Sequence, residues 1–236
     1  MNLALDHVFV LVEPEAKVAD LLIALGMEES FSRDHEGQGT SNRRFEFSNG
    51  MLEFLWLRDA KEANDGPGRD LAFQQRSENP EASPFGIILH RKDNLNLDMP
   101  FSGWRYQPDY FKPPMSFHIG VNSSNLLEPL CIYVPFIEPK IEPKVEPKVE
   151  PKVEPKVEPK VEPEIRTNKQ RTFRSISHVK IYTTTDKPSD VIGIADAADR
   201  LTIAYGHQHL MEVTFDENEC ALSHDFRPEI PLIIHW

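Results

Sequence analysis

Cysteines, basic patches and long apolar runs are scarce in this sequence, and each scarcity removes a class of protein. The two cysteines, Cys131 and Cys220, match no metal-ligand or redox spacing. Both read as buried structural thiols, and a disulfide between them is open but unsupported. The 26 Lys and Arg are outnumbered by 38 Asp and Glu, for a net charge of −12. The densest basic pair, Arg43-Arg44, sits beside Glu46, so no basic patch exists to neutralise phosphate. Nucleic acid and anionic membrane are therefore excluded as partners. No apolar run approaches the roughly 20 residues of a membrane span. Residues 1–12 lack a basic start, and Asp6-His7 interrupts their apolar character, so a signal peptide is not read and the expected location is cytoplasmic. A glycine-rich phosphate loop, a nucleophile elbow and a His-Glu-x-x-His element are missing too, which removes nucleotide hydrolysis and serine-hydrolase chemistry.

What is present begins with a repeat. From Glu138 the tetrapeptide Glu-Pro-Lys-(Ile/Val) recurs six times and ends in Glu162-Pro163-Glu164-Ile165. Proline at every fourth position forbids helix and pushes each preceding Glu toward extended backbone. A solvated, polyproline-II-like spacer is expected over 138–165, reaching roughly 85 Å at full extension. Tolerated expansion of a surface loop is the preferred reading, with a partner-docking arm as the other. The spacer divides the chain into 1–137 and 166–236.

In the first part, Leu5 to Val12 suits a buried strand. Glu13-Pro14-Glu15 looks like a helix start, Ala16 to Leu25 carries apolar residues at helical spacing, and Gly26 stops it. Arg43 to Phe47 and Met51 to Leu57 flank Ser48-Asn49-Gly50 as a hairpin. Gly86 to Arg91, Trp104 to Tyr106, Ser116 to Val121 and Pro129 to Phe136 read as four further strands with little helix. In the second part, Ser177 to Tyr182, a helix-like 189–201 and Leu210 to Asp216 echo the opening order weakly. The closing segment reads as an edge or covering strand because of Pro228 and Pro231, with Trp236 anchoring the tail. The class is α+β and strand-rich.

Leu5-Asp6-His7-Val8, the helix ending Leu25-Gly26-Met27 and the strand Gly50-Met51-Leu52-Glu53-Phe54 resemble the first βαβββ module of the vicinal-oxygen-chelate, glyoxalase-like superfamily. His35-Glu36-Gly37-Gln38-Gly39-Thr40-Ser41-Asn42-Arg43 is similar to its His…Gly-Thr-x-Asn segment. The resemblance covers 1–57 well, 84–136 loosely and 175–236 faintly. It implies paired βαβββ modules in an incomplete barrel, with 1–137 as that domain and 166–236 as an added βαββ-type module packing on it. It implies further a divalent metal (Zn, Fe, Mn or Ni) held by His7 and Glu53. Such an ion chelates a substrate with two neighbouring oxygens and stabilises an enolate, giving lyase, isomerase or dioxygenase chemistry. The second ligand pair does not carry over: a glycine stands near the third position and no carboxylate at the fourth. His178 and Glu212, which match His7 and Glu53 in module position, are the alternative source.

Each candidate has a plainer reading beside it. His7 is either a ligand or a hydrogen-bonded core histidine. Glu53, among Met51, Leu52, Phe54, Leu55 and Trp56, faces a large desolvation cost unless its face opens on a cleft. Alternation places Glu53 with Met51 and Leu55, and Leu52 with Phe54 on the other side. His35, in a polar glycine-rich loop, is a catalytic candidate with Glu53, or belongs to a solvated turn. Gly37 and Gly39 would admit a ligand close to the backbone. Thr40, Asn42, Arg43, Trp56 and Trp104 are the expected substrate contacts. His118 can face core or pocket, and His207 with His209 reads as a solvated strand edge. Three functions stay open: an enzyme acting on a small oxygen-rich metabolite, a non-catalytic binder of the drug-sequestering kind, and an interaction protein using the Pro-rich arm. A homodimer is compatible with all three.

Overall fold

The computed structural model describes residues 2–93, 98–137 and 173–236; the spacer expected at 138–165 lies outside the described residues. The first sheet holds eight strands: β1 (Leu3–Leu11), β2 (Arg33–His35), β3 (Thr40–Phe47), β4 (Gly50–Leu57), β5 (Phe85–Arg91), β6 (Gly103–Tyr106), β7 (Phe117–Gly120) and β8 (Leu130–Tyr133). Their order across the sheet is β2-β3-β4-β1-β5-β8-β7-β6, which reads the same from either edge as a pair of four-stranded halves. Each half pairs its first strand in parallel with its last, β1 with β4 and β5 with β8. The halves join through the antiparallel pair β1–β5. This is the paired-module, incomplete-barrel architecture of vicinal-oxygen-chelate domains. Its edges approach without pairing: the Tyr106 hydroxyl at the end of β6 lies 3.3 Å from Gln38 Oε1 in the β2–β3 turn.

The sheet has one closed face and one face around a cavity. A bulge in β1 between Leu5 and His7 lets the strand keep Leu3, Leu5, Val8 and Val10 on the closed face. There they meet Leu52, Phe54, Phe85, Ile87 and Tyr133, together with α1 (Val18–Ala24). The bulge leaves Asp6 and His7 both lining the cavity. Phe9, Leu55, Ile88, Ile132 and Tyr106 from both halves form the second apolar cluster, on the cavity side.

Helix α1 starts later than expected. Pro14–Ala16 is a single 3-10 turn, and Glu15 and Ala16 take positive φ, which breaks any helix running from Glu13. The chain between the hairpin and β5 contains two helices that the sequence reading lacked, α2 (Ala60–Asp65) and α3 (Phe73–Glu78). Asp59 caps α2 by accepting from the Glu62 amide.

Residues 173–236 form a second sheet from β9 (Ile176–Thr183), β10 (Leu201–Tyr205), β11 (Leu210–Phe215), β12 (Ser223–Asp225) and β13 (Leu232–His235), with α4 (Asp190–Asp196) between β9 and β10. Its order is β10-β9-β11-β13-β12, with β10 parallel to β9 and β11 antiparallel to it. The strand–helix–strand opening is present, but the order is not that of the first two halves, so the faint echo is not a third copy. The closing strand β13 is interior rather than an edge, because Pro228 and Pro231 precede it and remove none of its donors. Trp236 is buried beyond it. The inner residues Val179, Ile181, Met211, Val213, Leu232 and Ile234 share one core with the closed face of the first sheet. Arg200 ties the two together, donating to the carbonyls of Leu5 (2.6 Å), Asn49 (3.0 Å) and Ile176 (3.2 Å). No helix lies between β5 and β6 among the described residues; α4 packs against β8. Cys131 is buried, but Cys220 is exposed, so only one of the thiols is a core residue. No helix among the described residues is long and apolar enough to cross a membrane.

Candidate functional site

The cavity of about 220 Å³ is walled by Phe9, Leu55, Leu71, Phe73, Ile88, Phe117 and Ile132, and its polar side carries Asp6, His7, Arg33, His35, Gln38, Arg44 and Glu53. Strand alternation on β4 delivers Met51, Glu53 and Leu55 to it and sends Leu52 and Phe54 to the core, as expected. Glu53 is only 7% exposed. A carboxylate there needs donors, and Asn42 Nδ2 donates to its Oε1. The orientation of that amide is fixed from behind, since Asn42 Oδ1 accepts from the Arg33 backbone N–H at 2.8 Å. Arg44 stands opposite Glu53 in the β3–β4 register, and its guanidinium lies 3.5 Å from the centre of the Phe31 ring.

His7 lies between two acids. Its Nδ1 is 2.6 Å from Asp6 Oδ2, and its Nε2 is 3.8 Å from Glu53 Oε2. Burial pushes the Asp6 carboxyl up, but its hydrogen bond to His7 and the charges of His7, His90 and Arg200 outweigh this and hold it below the ordinary range. Asp6 holds the ring from its Nδ1 side and turns Nε2 toward Glu53.

His35, 8% exposed, ends β2 with Nδ1 at 3.1 Å from Thr40 Oγ1. Burial, followed by the charges of Arg33 and Arg44, outweighs the pull of Glu53 and Asp34, so the ring loses its proton more readily than an ordinary histidine. Its ring centre is 5.4 Å from that of Tyr110, over which the Arg33 guanidinium sits at 5.0 Å.

The other expected contacts divide by strand parity. Thr40 and Asn42 belong to β3 rather than to a loop, and their side chains bond to His35 and Glu53. Arg43 points the opposite way, onto Glu29 (2.6 Å), Asp20 (2.9 Å) and the Ala16 carbonyl (3.3 Å), so Arg44 and not Arg43 lines the cavity. Trp56 falls with Leu52 and Phe54 on the core face, and Trp104 bonds Ser123 Oγ at 3.2 Å outside this cavity. Gly39, at φ 72°, lies against α2: a Cβ there would come 2.4 Å from the Asp59 carbonyl. Its conformation serves the approach of that helix, not of a ligand. His118 bonds the Phe101 carbonyl at 2.8 Å, off the cavity. His207 and His209 lie in the β10–β11 loop. The sequence reading missed Phe9, Arg33, Gln38, Arg44, Tyr106 and Tyr110; for Arg44, alternation from Asn42 was a sufficient signal.

The donor set for a divalent metal is half present. Glu53 pairs across the sheet with Phe9, two residues beyond His7. The same step from Gly86 reaches Ile88, whose partner on β8 is Ile132, so the corresponding positions of the second half carry no donor. The Phe9 ring lies over Gly86, 1.9 Å from where a Cβ would be. His178 does not supply the deficit: it bonds Thr202 Oγ1 at 3.0 Å on the second sheet. Glu212 is 3.8 Å from His235 on that same sheet, and neither His178 nor Glu212 lines the cavity. Among the described residues no three His, Cys, Asp or Glu side chains converge as a metal site. The residues present do not fit a four-ligand centre.

No family model and no curated protein matches the sequence. A solved structure of a Staphylococcus aureus protein described as hypothetical is similar over 100% of this chain and 99% of its own, at 13% identity and a TM-score of 0.54. Methylmalonyl-CoA epimerase from Mycobacterium tuberculosis aligns with 56% of this chain and 86% of its own, at 11% identity and a TM-score of 0.35. The strand order and its two parallel closing pairs give the first sheet a fold of the glyoxalase-like, vicinal-oxygen-chelate type.

Proposed function

We propose that the cavity binds a small molecule with an oxygen-rich head and an apolar body, and that His7 and Glu53 exchange a proton with it. The carrying observation is the 3.8 Å approach of His7 Nε2 to Glu53 Oε2, an imidazole and a carboxylate side by side at the polar side of an otherwise apolar cavity. An acidic C–H beside a carbonyl is the kind of donor such a pair abstracts from, with the apolar wall excluding water. Asn42 and Asp6 position the two bases. Because the ligand set is incomplete, no step is assigned to a metal.

The test uses 2-hydroxyacetophenone, which has an apolar ring and two neighbouring oxygens. Its methylene protons are followed by NMR in D₂O with the full chain. Saturable binding and exchange at least tenfold above buffer are expected, with exchange lost in Glu53→Gln. Absence of both binding and exchange overturns the reading. Binding without exchange supports the second reading, a non-catalytic small-molecule carrier, which the apolar Gly86 and Ile132 positions favour.

A further inference from the structure

The polar side of the cavity holds a second device, which that proton-exchange reading leaves unused. It is a chain of hydrogen bonds whose direction can be followed from one end to the other. Tyr106 and Tyr110 place their hydroxyls 3.3 and 3.2 Å from the same atom, Gln38 Oε1. Burial raises both phenols well above their ordinary range, so both keep their protons and donate. Two donors on one oxygen fix the Gln38 amide, whose Nε2 then donates to Thr40 Oγ1 at 2.8 Å. With its oxygen accepting from Gln38, Thr40 has one proton left to give, and the remaining neighbour is His35 Nδ1 at 3.1 Å. Nδ1 is therefore an acceptor, which places the ring proton on Nε2. No described residue accepts from Nε2, and His35 lines the cavity.

We infer that the Tyr106/Tyr110–Gln38–Thr40 relay locks His35 as a neutral imidazole whose Nε2–H is the cavity's hydrogen-bond donor for a ligand oxygen. This role rests on the ligand reading above. His7 and Glu53 form the proton-exchanging pair of that reading, whereas His35 offers a donor that carries no net charge. Such a donor favours a carbonyl oxygen, whose negative charge grows as the neighbouring C–H proton leaves, over a ligand cation. His35 itself gives up no proton; it shares one in a hydrogen bond. The four relay groups are positioning residues, and Thr40 is the one hydrogen-bonded to the ring.

The tautomer of His35 is a direct readout that a merely structural role would not fix. Long-range proton–nitrogen NMR of the ¹⁵N-labelled full chain at pH 7 separates the Nε2–H, Nδ1–H and imidazolium forms, and His35→Gln assigns the resonances by their loss. The Nε2–H form is expected in the wild type and in Thr40→Ser, which keeps the hydroxyl. In Thr40→Val, with no hydroxyl to give, a mixture of both neutral forms is expected while the other histidines stay unchanged. A wild-type ring in the Nδ1–H or imidazolium form overturns the inference, as does a Thr40→Val ring that stays wholly Nε2–H. If Thr40→Val does not fold, Gln38→Glu makes the same test by reversing the bond to Thr40. The measurement needs no ligand, so its failure is separable from a failure of 2-hydroxyacetophenone to bind.

Discussion

His7 and Glu53 come from strands that pair in parallel, yet they are not cross-strand partners: His7 pairs with Met51 and Glu53 with Phe9. The side chains converge diagonally to 3.8 Å. That offset leaves the Phe9 ring beside Glu53, and Phe9 in turn requires a glycine opposite it at position 86. A substituent there has nowhere to go. Gly86→Ala is expected to cost about 1–3 kcal/mol in denaturant unfolding. In a Phe9→Ala background the same change should cost much less, because the two sites share one volume. Equal costs in both backgrounds would mean that the ring does not set the limit.

The half-present donor set makes its own forecast. An ion held by His7 and Glu53 alone binds weakly, and at a concentration equal to its dissociation constant it adds only about 0.4 kcal/mol of stability. Millimolar Zn²⁺ or Mn²⁺ is expected to shift the melting temperature by the same small amount in the wild type and in His7→Ala. A shift of many degrees that vanishes in His7→Ala would show that a site assembles from donors not counted above.

Stability should also fall on the acid side of neutrality. His35 and His209 both have folded-state values depressed below their ordinary one, chiefly by burial. The unfolded chain therefore binds more protons as pH drops through the ordinary histidine range, so stability is fully present above about pH 6.5 and declines below it. His35→Gln should flatten that decline over pH 5–7, measured by urea midpoints. A decline unchanged by the substitution assigns it to other groups.

Arg76 is a buried structural cation. Its guanidinium donates to the carbonyls of Glu128 (2.8 Å), Ser83 (3.2 Å) and Ser123 (3.3 Å), tying α3 to the 121–128 turn. Burial is the main force that brings its pKa down to about 10. Arg76→Leu strands these carbonyls and is expected to cost about 3 kcal/mol. A change below about 0.5 kcal/mol would mean that water satisfies them.

Much of the first half was legible because its signals are local. The branched and aromatic run Val8–Val12 after His7, the Ser48-Asn49-Gly50 turn and the period-two pattern around Glu53 announce strands and faces without tertiary information. Asp6 was not legible as a partner of His7, since neighbouring strand residues normally point apart and only the β1 bulge turns both inward. Arg43 was preferred over Arg44 because it ends the His35–Arg43 motif, although it also begins the strand read over 43–47, where parity decides. The relay on Gln38 joins residues 35–40 to Tyr106 and Tyr110, a pairing that only closure of the barrel edges creates. The strand order of 173–236 was equally out of reach, since a strand–helix–strand pattern is compatible with several arrangements.

One consequence follows from where the second sheet lies. Translation must pass Leu232–His235 before the outer side of the cavity-bearing sheet has its lid, since that strand is internal to the covering layer. A nascent chain that has finished every cavity residue still lacks Val179, Met211, Leu232 and Ile234, which share one core with Val8, Leu52 and Ile87. The recognition chemistry is thus written early in the gene, while the capacity to hold it rigid arrives late. Substitutions in the distal strands should accordingly register as lost soluble yield well before they register as altered ligand preference.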